Sequence, residues 1–312
     1  MKKLISIIIP CYNEEENILP FYKEIDKVSK QLKKYSFEFI YVIDPGSDNS
    51  NEVVKKLNNK DSRVKYIIMA RRFGKEASML AGLKRAKGDF VTIMDVDLQD
   101  PPEILKDMIK YLETGKYDSV AARRINRKGE AKIRSFFSNL FYKVMQKHSN
   151  LDLKPGDRDY RLMTRRMVDK VLQSNEKNRF LKAIYGYTGF NTKWIEFENV
   201  TRNKGKTKWS FFNLFKYSLT CIYGFTNLPL LIITYLGMFL LVLSLIGFIV
   251  LLVLGINSIK YNNIILITNI IMFFESIQIL CLSVVSHYLY SIFIEVKDKP
   301  LYIIMETEEE VE

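Results

Sequence analysis

The chain has 312 residues, with 47 Lys and Arg against 35 Asp and Glu, a formal net charge of +12 and a mean hydropathy of −0.05. That length allows one full-sized domain with an appendage. The scattered basic residues, without an aromatic-interleaved strip or zinc spacing, exclude nucleic acid as the expected partner, and Cys11, Cys221 and Cys281 are too sparse for a disulfide framework or a cysteine metal site, as in a reducing compartment.

The first apolar run, Leu4–Ile9 after Met1-Lys2-Lys3, imitates a signal peptide but is too short for one and predicts a buried strand. Phe37–Ile43, Val64–Ile68 and Phe90–Met94 are further short apolar or β-branched runs, and the helix-like stretches Glu14–Lys34, Asn49–Asn58 and Lys75–Lys87 separate them. This alternation predicts an α/β fold with a mostly parallel sheet covered by helices on both faces. Such sheets bind ligands at the carboxyl ends of their strands. After the first strand comes Pro10-Cys11-Tyr12-Asn13-Glu14-Glu15, in which Asn13 and Glu16 have the spacing of a capping box. After the second comes Asp44-Pro45-Gly46-Ser47-Asp48, a turn with a carboxylate at each end. After the fourth comes Asp95-Val96-Asp97, two carboxylates one residue apart, a spacing that suits Mg²⁺ or Mn²⁺ bridging a nucleotide diphosphate.

Further along, Arg123, Arg124, Arg127, Lys132 and Arg134 read mainly as a solvated or lipid-facing surface. Asp159 and Arg161, two residues apart, can form a structural ion pair. Arg202-Asn203-Lys204-Gly205-Lys206-Thr207-Lys208 is a cationic loop that either closes over a phosphate through Arg202 and Lys208 or merely flanks a membrane segment. Trp209–Asn227 is aromatic-rich with only Lys216 charged, which predicts an interfacial helix. From Pro229 to Val296 the only formally charged residues are Lys260, Glu275 and Glu295. Pro229–Ile256 and Ile264–Phe293 therefore predict two membrane helices joined by a short polar turn. The Lys and Arg excess on their flanks places both flanks in the cytoplasm. Glu275 reads as a protonated residue packed between helices or as a contact to a lipid or subunit, and His287 as a side chain snorkelling toward headgroups. Pro300–Met305 reads as a short strand and Glu306–Glu312 as a mobile acidic end.

Taken together, these residues resemble a known family. Ile8-Ile9-Pro10-Cys11-Tyr12-Asn13-Glu14-Glu15 is similar to the opening of family 2 glycosyltransferases of the GT-A fold. Arg71-Arg72-Phe73-Gly74-Lys75-Glu76-Ala77 and the segment from Met94 to Glu103 resemble the polyprenyl-phosphate glycosyltransferases, bacterial relatives of dolichyl-phosphate mannose and glucose synthases. Gly156, Asp159–Met163, Arg202–Trp209, the apolar hairpin and Glu295–Tyr302 also match, so the likeness spans essentially the whole chain. Two places depart from it. The family's Asp-Asp-Gly-Ser-x-Asp is Asp44-Pro45-Gly46-Ser47-Asp48 here, and its Gly-Glu-Tyr in the last span is Ser286-His287-Tyr288.

The resemblance implies a GT-A-type (Rossmann-like) domain over residues 1–208, an interfacial juxtamembrane segment over 209–228, a C-terminal two-helix transmembrane anchor over 229–294 and a cytoplasmic tail over 295–312. It further implies that Pro10, Tyr12, Glu14, Asp44 and Asp48 surround the nucleoside, and that Lys75 approaches the nucleotide. Asp95 would face the ribose and diphosphate and share a Mg²⁺ or Mn²⁺ that Asp97 holds directly, while Arg161, Arg202 and Lys208 would meet phosphates. Asp159 resembles the residue assigned as the family's base. The acceptor is a phosphate monoester whose second pKa is near 6, so a positioning role for Asp159 is equally sound. The expected reaction is inverting transfer of a hexose or N-acetylhexosamine from a UDP-sugar to undecaprenyl or another polyprenyl phosphate, for cell-envelope glycosylation. The expected setting is the bacterial cytoplasmic membrane, multi-pass, with the catalytic domain facing the cytoplasm and the chain in a homo-oligomer, a tetramer by analogy. The competing expectations are a catalytically decayed nucleotide-sugar-binding scaffold and a family 2 transferase that extends a polysaccharide or glycolipid.

Overall fold

The computed structural model describes residues 2–125, 132–149, 154, 156–174, 176, 177, 179–198, single positions between 216 and 249, and 263–310. In chain order its elements are β1 (Lys3–Cys11), α1 (Glu15–Gln31), β2 (Tyr35–Ile43), α2 (Ser50–Asn58), β3 (Val64–Met69), α3 (Lys75–Arg85), β4 (Phe90–Ile93), α4 (Ile104–Glu113), β5 (Ser119–Arg124), α5 (Lys132–His148), β6 (Asp157–Thr164), α6 (Arg165–Gln173), α7 (Leu181–Tyr187), β7 (Thr192–Phe197), α8 (Asn263–Val296) and β8 (Ile304–Thr307). The four strands and three helices read from the sequence coincide with β1 to β4 and α1 to α3.

The eight strands form one sheet in the order β7-β5-β6-β4-β1-β2-β3-β8. β1 to β4 are mutually parallel, whereas β6 runs antiparallel to both β4 and β5. β1 has β2 on one side and β4 on the other, so the strand order reverses between β1 and β4 and leaves a crevice at their carboxyl ends. Because β6 is antiparallel, its beginning lies beside the end of β4, with Ile93 opposite Tyr160. The site therefore receives residues from the end of one strand and the start of another.

Both faces of the sheet are covered, which is why β1 and β2 read as continuous apolar runs and not as alternating ones. On one face Ile5, Ile7 and Ile9 pack with Ile18, Phe21 and Ile25 of α1 and with Leu105 and Met108 of α4. On the other, Ile8, Ile40 and Val42 pack with Met79 and Leu83 of α3 and with Met167 and Val168 of α6. A Cβ on Gly82 would lie 2.2 Å from Ile8 Cγ2, so α3 can approach β1 this closely only with glycine there.

Of the acidic end, residues 306–310 are held in place and not mobile, and the last two lie outside the described residues. β8 pairs antiparallel with β3, Glu306 accepts from Lys55 Nζ (2.8 Å) and from the Tyr66 hydroxyl (3.1 Å), and Arg85 pairs with Glu308 (2.7 Å) and Glu309. The exposed edge of β3 offers unpaired backbone groups, and the cations beside it attract the carboxylates.

Among the described residues no helix is long and apolar enough to cross a membrane. The expected multi-pass placement in the bacterial cytoplasmic membrane is corrected accordingly, and the two-helix anchor expected at 229–294 is not confirmed. Most of Pro229–Ile256 lies outside the described residues, as do the boundary at 208 and much of 209–228. Ile264–Phe293 falls within α8, whose sequence carries Asn269, Glu275, Gln278 and His287, polar groups that are costly in hydrocarbon. The side chain of Glu275 lies outside the described residues. His287 rests against the Tyr223 ring, with centroids 4.1 Å apart.

At the opposite end of the sheet from the crevice, buried Glu38 accepts from Ser6 Oγ (2.5 Å), Lys65 Nζ (2.7 Å) and the Lys87 N–H (2.8 Å). Burial pushes its carboxyl up, but Lys65, Ser6 and the Lys87 amide outweigh burial and hold it below the ordinary 4.5. Replacing it strands the three donors, so Glu38→Ala is expected to cost about 3 kcal/mol of unfolding free energy at neutral pH. Because the folded carboxyl is the more acidic, its stabilisation is full above the unfolded value and is lost as pH falls through the folded one. Denaturant titrations should therefore show a constant gap between unaltered protein and variant at neutral pH that narrows only as pH falls below about 4.5.

Candidate active site

The crevice is built from four loops. Pro10, opposite Val42, and Tyr12 lie at the end of β1, and the Arg72 guanidinium sits 4.1 Å from the Tyr12 ring centroid. Asn13 takes a left-handed backbone (φ 52°) and accepts from the Ser47 N–H (2.8 Å), so it ties two loops together and does not cap α1. The start of α1 is instead satisfied from across the crevice. Asp48 accepts from the Glu15 N–H (2.9 Å) and Ser50 Oγ from the Glu14 N–H (3.1 Å). The Glu14 carboxylate accepts from Asn17 Nδ2 at 2.6 Å. Buried Asp44 accepts from the Phe73 N–H (2.7 Å) on one oxygen and the Gly74 N–H (2.9 Å) on the other. Of the residues expected around the nucleoside, Asp44 and Asp48 thus hold backbone in position.

Beyond β4 the chain carries half-buried Asp95 and buried Asp97, and Asp97 accepts from the Gln99 N–H at 3.2 Å. Leu98 between them and Gln99 is left-handed (φ 57°), a backbone state that costs a non-glycine residue about 1–3 kcal/mol and collects at functional sites. Gly74 (φ 95°) turns the chain into α3 and delivers Lys75, whose Nζ lies 2.7 Å from Asp95 Oδ1 and 2.5 Å from Asp159 Oδ2. A helix N-terminus repels a cation, so these two carboxylates hold Lys75 there. Burial pulls its pKa down, but Asp159 and Asp95 outweigh burial and raise it, so the ammonium persists.

The start of β6 completes the cluster. Arg158 grips Asp100 (Nε to Oδ1, 2.8 Å; Nη2 to Oδ2, 3.3 Å) and lies 3.7 Å from Asp95. Lys182, from α7, lies 3.7 Å from Asp159 Oδ1. Burial pushes the Asp159 carboxyl up, but Lys182 and Lys75 prevail and hold it well below the usual carboxylate range. An anion so stabilised is a weak proton acceptor.

Arg161 is placed differently from expectation. It is 3% exposed, with its guanidinium 4.7 Å from the Tyr185 ring centroid and 5.2 Å from that of Trp194. It pairs with Asp157 (3.5 Å), and not with Asp159. Its guanidinium also donates to Ser119 Oγ (3.2 Å) and Thr192 Oγ1 (3.3 Å), so it is buried and committed to neighbours within the fold. Arg202 and Lys208 lie outside the described residues. Sequence reasoning missed Arg158, Asp100 and Lys182. The charged alternation Asp157-Arg158-Asp159 was a signal for the first, and a lone lysine in the apolar run Phe180-Leu181-Lys182-Ala183-Ile184 for the last.

Among the described residues no group of three His, Cys, Asp or Glu is placed to hold a metal ion. Asp95 and Asp97 supply hard oxygen donors, which fit Mg²⁺ or Mn²⁺ provided that ligand oxygens complete the coordination. The donor set thus suits a cation shared with a diphosphate, and not one caged by protein alone.

Residues 6–172 match the family described as Glycosyl transferase family 2. Over 307 residues, 97% of this chain and 92% of the relative, the chain is 39% identical to CsbB of Bacillus subtilis, whose name calls it a glycosyltransferase. It is 33% identical to the SfII prophage-derived bactoprenol glucosyl transferase of Shigella flexneri, over 96% of this chain and 97% of that protein. The prophage bactoprenol glucosyl transferase homolog of Escherichia coli strain K12 is likewise 33% identical, over 96% and 98%.

Asp44 joins the end of β2 to the loop that presents Lys75. Asp44→Ala strands two backbone donors, so an unfolding cost of about 2 kcal/mol is expected. Weaker nucleotide binding should accompany it, read by calorimetry with a nucleoside diphosphate. Unchanged nucleotide affinity in a destabilised variant would confine Asp44 to the scaffold.

Proposed function

Because the chain belongs to glycosyl transferase family 2, we propose that it transfers a hexose or N-acetylhexosamine from a UDP-sugar to undecaprenyl or another polyprenyl phosphate. The product would be a lipid-linked sugar for cell-envelope glycosylation. The observation that carries this reading is the cluster of Asp95, Asp97, Lys75 and Asp159 where β1 and β4 diverge, the place where an open α/β sheet receives its ligand. The bactoprenol names of relatives that align end to end support the acceptor, and their glucosyl designation puts UDP-glucose first among donors to try.

In this mechanism the loops after β1 and β2 shape the nucleoside pocket, with Pro10, Tyr12 and Glu14 on one rim and Asp44 and Asp48 fixing the other. Asp95 and Asp97 would hold the divalent cation, which supplies positive charge to the departing diphosphate. Lys75, kept protonated, adds a second positive charge on the same side. An oxygen of the acceptor phosphate forms a bond to the anomeric carbon as the bond from that carbon to the diphosphate breaks, and the diphosphate leaves with the electron pair. Direct displacement inverts the centre, so an α-linked donor gives a β-linked product. The acceptor oxygen is already anionic at neutral pH, so no proton has to be removed from it. Asp159 therefore orients Lys75 and Lys182, and its negative charge keeps both in place.

Purified protein supplied with polyprenyl phosphate in detergent, UDP-[¹⁴C]sugars and Mg²⁺ or Mn²⁺ should yield a labelled lipid that is β-linked by NMR. EDTA or Asp97→Asn should lower its formation about 100-fold or more. An α product, or turnover indifferent to EDTA, would contradict this mechanism.

The pH profile separates the two roles open to Asp159. Its carboxyl is ionised throughout the neutral range, so kcat/KM for the acceptor should rise through about pH 6 with the phosphate's own second ionisation. Asp159→Asn should lower the plateau and leave that limb where it was. Loss of the limb in the variant would instead make Asp159 the base.

A further inference from the structure

Lys182 belongs to none of the motifs that mark the donor side of the crevice. It projects from α7, most of its side chain is covered, and its Nζ donates to the Asp157 carbonyl oxygen at 2.8 Å. Among the described residues its one ion pair within 4 Å is to Asp159, at 3.7 Å, with the Asp157 carboxylate attracting it from farther away, whereas Lys75 takes the other oxygen of Asp159 at 2.5 Å and Asp95 besides. Asp159 thus stands between two ammonium groups from different helices, one closely neutralised and the other not.

A mostly covered ammonium with one loose ion pair and three N–H donors is an incomplete site for an anion. Its position indicates which anion. Lys75 is shared with Asp95, on the loop that also bears Asp97, and so belongs to the diphosphate. Lys182 lies on the far side of Asp159, against the start of β6. In an inverting displacement the nucleophile and the leaving group occupy opposite sides of the anomeric carbon, and two cations held apart by one carboxylate match that requirement.

The separation is also set structurally. Glu76, the residue after Lys75, accepts from the Leu181 N–H at 3.0 Å, so it fixes the start of the helix that carries Lys182. One dipeptide therefore supplies the donor-side cation and positions the other.

We propose that Lys182 binds the phosphate of the acceptor, with Asp159 holding it opposite Lys75. The inference rests on the transfer to a lipid phosphate proposed above. Lys182→Gln, one atom shorter, still carries an N–H donor while removing the charge. In steady-state assays of the full chain with polyprenyl phosphate, this variant should raise the acceptor KM about tenfold or more. The donor KM should stay within about twofold, and Lys182→Arg should recover most of the loss. Lys182→Met, which retains the apolar stem, is read in the same way if the Gln variant does not fold. An unmoved acceptor KM, an equal rise in both KM values, or a fall in kcat alone would overturn the assignment. If the unaltered protein transfers no sugar to polyprenyl phosphate, the acceptor reading itself falls and this inference with it. Normal transfer by the unaltered protein with an unmoved KM in the variant removes only the role of Lys182.

Discussion

Carboxylates gathered at the facing ends of β4 and β6 repel one another, and the cations threaded between them make the arrangement possible. Lys75 is the pivot, because it bonds Asp95 from one strand and Asp159 from the other. Arg158, itself on β6, reaches across to Asp100 and Asp95, both on the segment after β4. Without these bridges, the antiparallel entry of β6 beside β4 would bring like charges together in a partly covered crevice, where water screens them poorly. The left-handed Leu98 and the lysine at a helix start are further local costs at the same place. The two apolar layers that flank the sheet offset them.

The parts of this site that follow parallel strands were legible in the sequence. Asp44, Asp95 and Asp97 come directly after apolar runs, and Lys75 opens a helix behind a glycine. On the β6 side the resemblance named Asp159, but the strand itself was not legible, because a short, charge-interleaved strand such as Asp157–Thr164 has no hydrophobic period to announce it. Its placement depends on pairing with β4, a contact far away in sequence. Arg161 shows the same limit in reverse. Its motif suggests a phosphate ligand, yet Tyr185 and Trp194 enclose it, and both rings come from elements later in the chain. Asn13 has the spacing of a cap, but its backbone conformation turns it toward Ser47.

The C-terminal end illustrates how charge and backbone pairing act together. Composition alone marks Glu306–Glu310 as a solvated acidic run. The open edge of β3 supplies unpaired backbone groups, and Lys55 and Arg85 supply the opposite charge, so strand addition and ion pairing fix the same few residues. Exposed ion pairs contribute little singly. Here they accompany a hydrogen-bonded strand, and the tail protects an edge that would otherwise be available to another chain.

The chemistry follows from the same electrostatics. A carboxylate stabilised by two lysines loses basicity in proportion to that stabilisation, so the environment that keeps Asp159 ionised also makes it a poor proton acceptor. For a hydroxyl acceptor this would be a defect. For a phosphate monoester it is not, because the nucleophilic oxygen arrives already charged. In the proposed reaction the remaining difficulty would be the approach of an anionic acceptor to a site that also receives a diphosphate. On that proposal, Lys75 and Lys182, kept apart by the fixed negative charge of Asp159, would lower the repulsion along the approach while leaving the leaving-group charge stabilised.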